Sequence, residues 1–186
     1  INNLLTVLSN EILDNAGTID KYMGDCIMAF WNAPTDQDNH TDLALKASFD
    51  MEKALKEFNI EFEKQKGMEL KIGIGINTGE CIVGNMGSEK RFDYTVLGDP
   101  VNLASRLEGQ SGTYGFQRIL GQETVNGLKS NTNLFELDLI QVKGKNEPVK
   151  IYTSFDKFSL KDGKLSEFSK DHEEFLNNYR NQKWDI

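Results

Sequence analysis

Gly17-Thr18-Ile19-Asp20-Lys21-Tyr22-Met23-Gly24-Asp25-Cys26-Ile27-Met28-Ala29-Phe30-Trp31 is the stretch that decides the fold class. Residues 18–22 form a short run suited to a strand, Met23-Gly24-Asp25 has turn chemistry, and residues 26–31 are apolar enough for a central strand. Asn32-Ala33-Pro34 then breaks the run. Two strands joined by so short a turn pair antiparallel, whereas parallel neighbours need a long crossover. On the N-terminal side, Leu4, Leu5, Leu8, Ile12 and Leu13 recur at three- and four-residue steps, which predicts a helix over 1–16 that ends at Asn15 and Gly17. On the C-terminal side, Leu43, Ala47, Met51, Leu55, Phe58 and Phe62 lie on one stripe of a helix over 41–66. Thr41 or Asp42 is expected to cap it, and Gly67 to end it.

Farther along, Ile72, Ile74 and Ile76 alternate with small residues over 70–77, so one strand face is bulky and the other flat. A flat glycine face admits a ligand or another backbone. Residues 81–84 read as the far side of a hairpin after Asn77-Thr78-Gly79-Glu80, and residues 92–97 as another strand. Residues 101–107 open a helix behind Gly98-Asp99-Pro100, with Asp99 a helix-start residue. A strand at 118–120, a short helix from Gln122 and a hairpin over 135–142 and 149–154 complete the pattern. Strands come in runs between helices, which predicts an α+β fold: a ferredoxin-like antiparallel sheet covered by helices on one face. Residues 1–154 read as one domain. Residues 155–186 are charged, with Phe175, Leu176, Tyr179 and Trp184 at helical spacing, and read as a linker and the start of a helical element.

Composition narrows the function. The 186 residues are 38% hydrophobic and 27% charged, enough for one compact core. Lys+Arg number 21 against 29 Asp+Glu, a net charge of −8 that argues against a nucleic-acid partner. Cys26 and Cys81 read as reduced, buried small hydrophobes, and His40 and His172 as solvated surface. No run is long and apolar enough for a membrane span, and no signal peptide is seen. A phosphate-binding loop of the Gly-x-x-x-x-Gly-Lys type is absent, Gly73 and Gly75 lack the third glycine of a dinucleotide fingerprint, and no nucleophile elbow occurs.

Three segments gather polar residues at strand ends: 20–25, 94–106 and 142–145. They supply a carboxylate in a tight turn, two or three cations, and amide and hydroxyl groups on a helix. Carboxylate for a hard cation and Lys/Arg for phosphate oxygens is the inventory for a triphosphate with Mg²⁺. In order and in content, residues 17–30, 94–108 and 136–145 resemble the class III nucleotidyl cyclases, the adenylate and guanylate cyclase catalytic domain, over about Asn2 to Tyr152. The resemblance is greatest to bacterial adenylate cyclases.

That resemblance implies a homodimer with active sites at the subunit interface, and attack of the ATP ribose 3′-oxygen on the α-phosphorus with loss of pyrophosphate. It implies that Asp25 is the second of two metal-binding aspartates, for Mg²⁺ or Mn²⁺, that Lys21 and Thr95 recognise the base, that Asn102 orients the ribose, that Arg106 stabilises charge on the α-phosphate, and that Lys143 binds the phosphates, with Lys145 the alternative. Asp20 is expected to lie only next to the site. In the family dimer the aspartates come from one subunit and the other contacts from its partner. A Lys donor suits adenine N1, and a Thr hydroxyl can accept from the N6 amine; guanine inverts both contacts. Guanylate members carry an acidic residue where this chain has Lys21, so adenylate cyclase leads. A guanylate cyclase and a non-catalytic nucleotide-binding regulator are the alternatives. The family's first strand, with its first metal aspartate, has no counterpart ahead of residue 1. The sequence is therefore expected to be an N-terminally truncated piece of a longer protein, impaired on its own, and cytoplasmic or the cytoplasmic part of a membrane-bound protein.

Overall fold

A computed structural model describes residues 1–141, 147–155 and 162–183 of the chain. The elements are α1 (Asn2–Asp14), β1 (Thr18–Met23), β2 (Cys26–Phe30), α2 (His40–Lys66), β3 (Ile74–Ile76), β4 (Ile82–Ser88), β5 (Arg91–Leu97), α3 (Asp99–Glu108), α4 (Ser111–Tyr114), β6 (Arg118–Gly121), α5 (Gln122–Gly127), β7 (Asn133–Ile140), β8 (Val149–Phe155) and α6 (Asp162–Arg180). One sheet runs β3-β6-β8-β7, and β1-β2 and β4-β5 are antiparallel pairs. The class is α+β as expected, with one refinement: β3 and β6 run parallel, Ile74 opposite Arg118 and Gly75 opposite Ile119.

The alternation of β3 and β6 sets what lies on each face. Arg118 reaches α2, where its guanidinium donates to Ser48 Oγ (2.9 Å) and Glu52 Oε2 (2.6 Å). Ile119 points the other way, into a core with Leu103 and Leu107 of α3, Phe135 and Leu137 of β7, and Ile151 of β8. A second core joins Leu4 and Leu8 of α1 to Leu55 of α2, with Ile27, Leu70 and Ile72 against it. The glycine face of the 70–77 segment meets the backbone of α3, so the flat face serves packing. A Cβ on Gly75 would lie 2.1 Å from the Ala104 carbonyl oxygen.

Several expectations are corrected. Only residues 74–76 of the 70–77 run form a strand, because the Asn59 side chain takes both backbone groups of Leu70 and leaves no ladder there. The 82–88 strand pairs with β5, Ile82 opposite Leu97, and does not return to β3. Thr41 and Asp42 do not cap α2; Thr41 Oγ1 donates to the Gly127 carbonyl, and Asp42 accepts from the backbone N–H groups of Lys129 and Ser130. Gly67 does end α2, in the left-handed region at φ 67°. Cys26 and Cys81 are free but exposed: Cys26 opens β2 beside the hairpin turn, and Cys81 precedes β4. His172 is not a solvated surface group: its Nε2 lies 2.7 Å from the Glu136 carbonyl oxygen and its ring stacks on Phe135 at 4.1 Å. Through that contact, buried Leu176 and an Arg180–Glu136 ion pair at 2.6 Å, α6 is tied to β7. No helix among the described residues is long and apolar enough to cross a membrane.

Candidate active site

The β1–β2 hairpin turns through Gly24-Asp25, with Gly24 at φ 67° in the left-handed region that a tight two-residue turn asks of its first position. Asp25 stands exposed at the tip and makes no side-chain hydrogen bond or ion pair among the described residues. A carboxylate held out by a stiff hairpin is free to meet a cation. Its neighbour Cys26 has a thiol pushed up by burial, and by the Glu108 and Asp25 carboxylates.

Behind the tip, the register slips between Ile19 and Lys21. Ile19 pairs with Ala29 and Lys21 with Met28, so Asp20 has no cross-strand partner. A bulge of this kind re-aims side chains and recurs beside active sites. The Asp20 side chain is only 1% exposed and reaches across to β5. There its Oδ2 accepts from Thr95 Oγ1 at 2.6 Å and from the Val96 N–H at 3.2 Å. Its Oδ1 lies 3.3 Å from Lys21 Nζ, an ion pair without a well-formed hydrogen bond, while the Lys21 side chain stays 42% exposed. Lys21 and Thr95, from two separate segments, are thus held together through one buried carboxylate. Sequence reasoning set Asp20 aside; a carboxylate in mid-strand was the signal available.

β5 runs directly into α3, which presents the next two residues. Pro100 opens the helix, and the Asn77 amide donates to its carbonyl at 3.1 Å, fixing the helix start against the 70–77 segment. Asn102 and Arg106 are one turn apart on the same face. Asn102 is exposed, with only a 3.5 Å contact from its amide to the Gly98 carbonyl. Arg106 is half-buried, and its Nη1 is sealed from solvent without a hydrogen-bond partner among the described residues. A buried guanidinium nitrogen left unpaired is costly, and an anion at this place would satisfy it.

The structure therefore joins Lys21 with Thr95 through Asp20, and sets Asn102 and Arg106 one turn apart on α3. Among the described residues, no side-chain bond links Asp25 to either pair. Lys143 and Lys145 lie outside the described residues, so their expected roles have no structural counterpart here. Among the described residues no group of three or more His, Cys, Asp or Glu is placed to hold a metal ion. Asp25 fits an ion such as Mg²⁺ that keeps most of its shell in water and phosphate oxygens and takes one or two carboxylates.

Comparison with known proteins adds four findings. The sequence family described as the adenylate and guanylate cyclase catalytic domain matches residues 3–155. An adenylate cyclase of Anabaena cylindrica is 39% identical over 160 residues, which is 82% of this chain and 31% of that protein, so the chain spans about a third of that relative's length. Among solved structures, the adenylyl cyclase CyaB from P. aeruginosa superposes with a TM-score of 0.77 at 35% identity, covering 85% of this chain and 81% of that one. The guanylyl cyclase Cya2 superposes with the same TM-score, 0.77, at 33% identity, covering 86% and 82%.

Proposed function

Because the chain belongs to the adenylate and guanylate cyclase catalytic domain family, we propose that it is the catalytic part of an adenylate cyclase acting in cyclic-nucleotide signalling. It converts ATP to 3′,5′-cyclic AMP and pyrophosphate. The observation that carries the choice of ATP is the cluster of Lys21 and Thr95 around Asp20. A lysine donor and a hydroxyl acceptor side by side match the N1 acceptor and N6 donor of adenine.

In this reading Lys21 and Thr95 hold the base and Asn102 sets the ribose so that its 3′-oxygen faces the α-phosphorus. Arg106, whose guanidinium is not fully paired within the chain, turns to the α-phosphate, where negative charge grows as the new P–O bond forms and the bond to pyrophosphate breaks. Lys143 neutralises the phosphates. Asp25 is the carboxylate for Mg²⁺ or Mn²⁺, and a divalent ion there supplies charge neutralisation on the triphosphate and acidifies the attacking hydroxyl. The rest of the work is positioning, as in phosphoryl chemistry generally.

The site is shared in a homodimer, with Asp25 from one subunit and the base, ribose and phosphate contacts from its partner. Two features support this. Asp25 is not bonded to the Lys21–Thr95 pair within one chain, and β4–β5 exposes Ile82 (71%), Phe92 (62%) and Leu97 (54%), apolar surface suited to a subunit contact.

The test is turnover of ATP and GTP by the full-length gene product, wild type beside Lys21→Glu. Cyclic AMP from the wild type, with preference moving toward GTP when the Lys21 donor becomes an acceptor, supports the reading. Cyclic GMP as the main wild-type product makes it a guanylate cyclase, and nucleotide binding without either product makes it a regulatory domain.

A further inference from the structure

Asp20 is the one buried carboxylate of the candidate site, and the proposed reaction assigns it nothing. Its bulge position costs the β1–β2 ladder a pairing, its side chain is 1% exposed, and its three contacts all go to the base-recognition elements. Paired with the Lys21 ammonium, the ionised carboxylate can only accept hydrogen bonds. At 2.6 Å the single proton of the Thr95 hydroxyl is therefore committed to Asp20 Oδ2, and only lone pairs remain on Thr95 Oγ1. The Val96 N–H on the same oxygen keeps that carboxylate in place. An unrestrained hydroxyl would rotate and donate or accept as the ligand required.

We propose that Asp20 is a positioning residue that sets purine choice: it fixes the Thr95 hydroxyl as an acceptor and holds the Lys21 ammonium beside it as a donor. This presents a 6-aminopurine with its complement and opposes a 6-oxopurine, whose N1–H would meet an ammonium and whose O6 would meet lone pairs. The inference rests on the ATP reading above, and deepens it by naming what enforces the selection.

Asp20→Ala tests it. It removes the acceptor of the Thr95 proton and the anion beside Lys21, so the hydroxyl is free to turn toward a guanine O6; an amide would not do this, because its oxygen would stay on the Val96 N–H and go on accepting from Thr95. The measurement is kcat/KM for ATP and for GTP with the full-length gene product, and in parallel the competition of each nucleotide for the site. Wild type prefers ATP; in Asp20→Ala the ATP:GTP ratio falls about tenfold or more, mostly through KM. In a Thr95→Ala background, Asp20→Ala changes the ratio by less, since only its hold on Lys21 is left to lose. A carboxylate that merely clamps β1 to β5 would weaken both nucleotides alike, and an unchanged ratio in a folded Asp20→Ala protein overturns the inference while leaving the ATP reading standing. Where Asp20→Ala does not fold, Thr95→Ala alone is read, and a fully retained ATP preference there overturns it. A wild type that does not prefer ATP overturns the ATP reading, and this inference with it.

Discussion

Gly75→Ala should both loosen the fold and disarm the site. A Cβ at this position would lie 2.1 Å from the Ala104 carbonyl oxygen and 2.4 Å from the Glu108 backbone nitrogen. Close C···O contacts in proteins lie at about 3.3–3.6 Å. Both obstacles are backbone, so no side chain can swing aside and α3 itself must retreat by about 1 Å. Leu103 and Leu107, 7% and 0% exposed, would be drawn out of the core with it. Overpacking of this kind costs about 1–3 kcal/mol. For a chain of this size that is a fall in Tm of about 2–12 °C. The same retreat moves Asn102 and Arg106, and a displacement of about 1 Å can cost about 10²-fold in rate. Thermal melts followed by circular dichroism, with turnover measured well below the melt, read the two effects separately. Gly112→Ala is the control, because nothing lies within 4 Å of a Cβ there. A Gly75→Ala protein that melts with wild type and keeps its turnover would refute the close packing of α3 on β3 as the support of the site.

Two further outcomes follow from particular groups. Arg106→Ala should lower turnover about 10³-fold or more, by analogy with arginines that meet transition-state charge, while the melt stays level or rises, since the unpaired buried Nη1 is removed; initial rates beside a melt check both. For Glu52, burial favours the neutral acid, but Lys56 and Arg118 donate to the carboxylate and hold it below its ordinary 4.5. A depressed carboxyl contributes stability that is present above pH 4.5 and lost as pH falls through the lower folded value. Glu52→Gln should therefore flatten the acid side of the stability curve. At neutral pH it should cost about 1–3 kcal/mol, less than a fully buried pair, since Ser48 and Ser154 still accept from Arg118. Denaturant midpoints across pH check it, and an acid limb as steep as wild type contradicts the pairing.

Much of the architecture was legible where local chemistry and tertiary need agree. The α2 stripe with Gly67 behind it, the Gly24-Asp25 turn and the Gly98-Asp99-Pro100 helix start each carry their own signal. The pairing of β4 was not legible. Gly84, Asn85, Gly87 and Ser88 have little strand propensity, and the strand exists because β5 lies opposite across the Glu89-Lys90 turn. The contacts of Asp20 were not legible for a related reason. Alternation along β1 assumes an unbroken register, and a one-residue bulge sends the side chain where alternation does not. The exposure of Cys26 and Cys81 and the packing of His172 on Phe135 are set by which elements meet, which no single segment encodes. In the candidate site, it is the resemblance to the cyclase family that marks Lys21, Asp25, Thr95, Asn102 and Arg106. What the sequence alone could not show is that Asp20 ties Lys21 to Thr95, or that Arg106 carries a buried, unpaired nitrogen.

The measurement that bears most directly on the reading is cyclic AMP formation from ATP by the full-length gene product in Mg²⁺ or Mn²⁺, wild type against Asp25→Asn, with ATP binding followed separately. The account predicts metal-dependent cyclic AMP from the wild type, reduced to background in the variant while the nucleotide still binds through Lys21, Thr95 and Arg106. Undiminished cyclic AMP in Asp25→Asn, or no cyclic product from the folded, dimeric wild type, would contradict it.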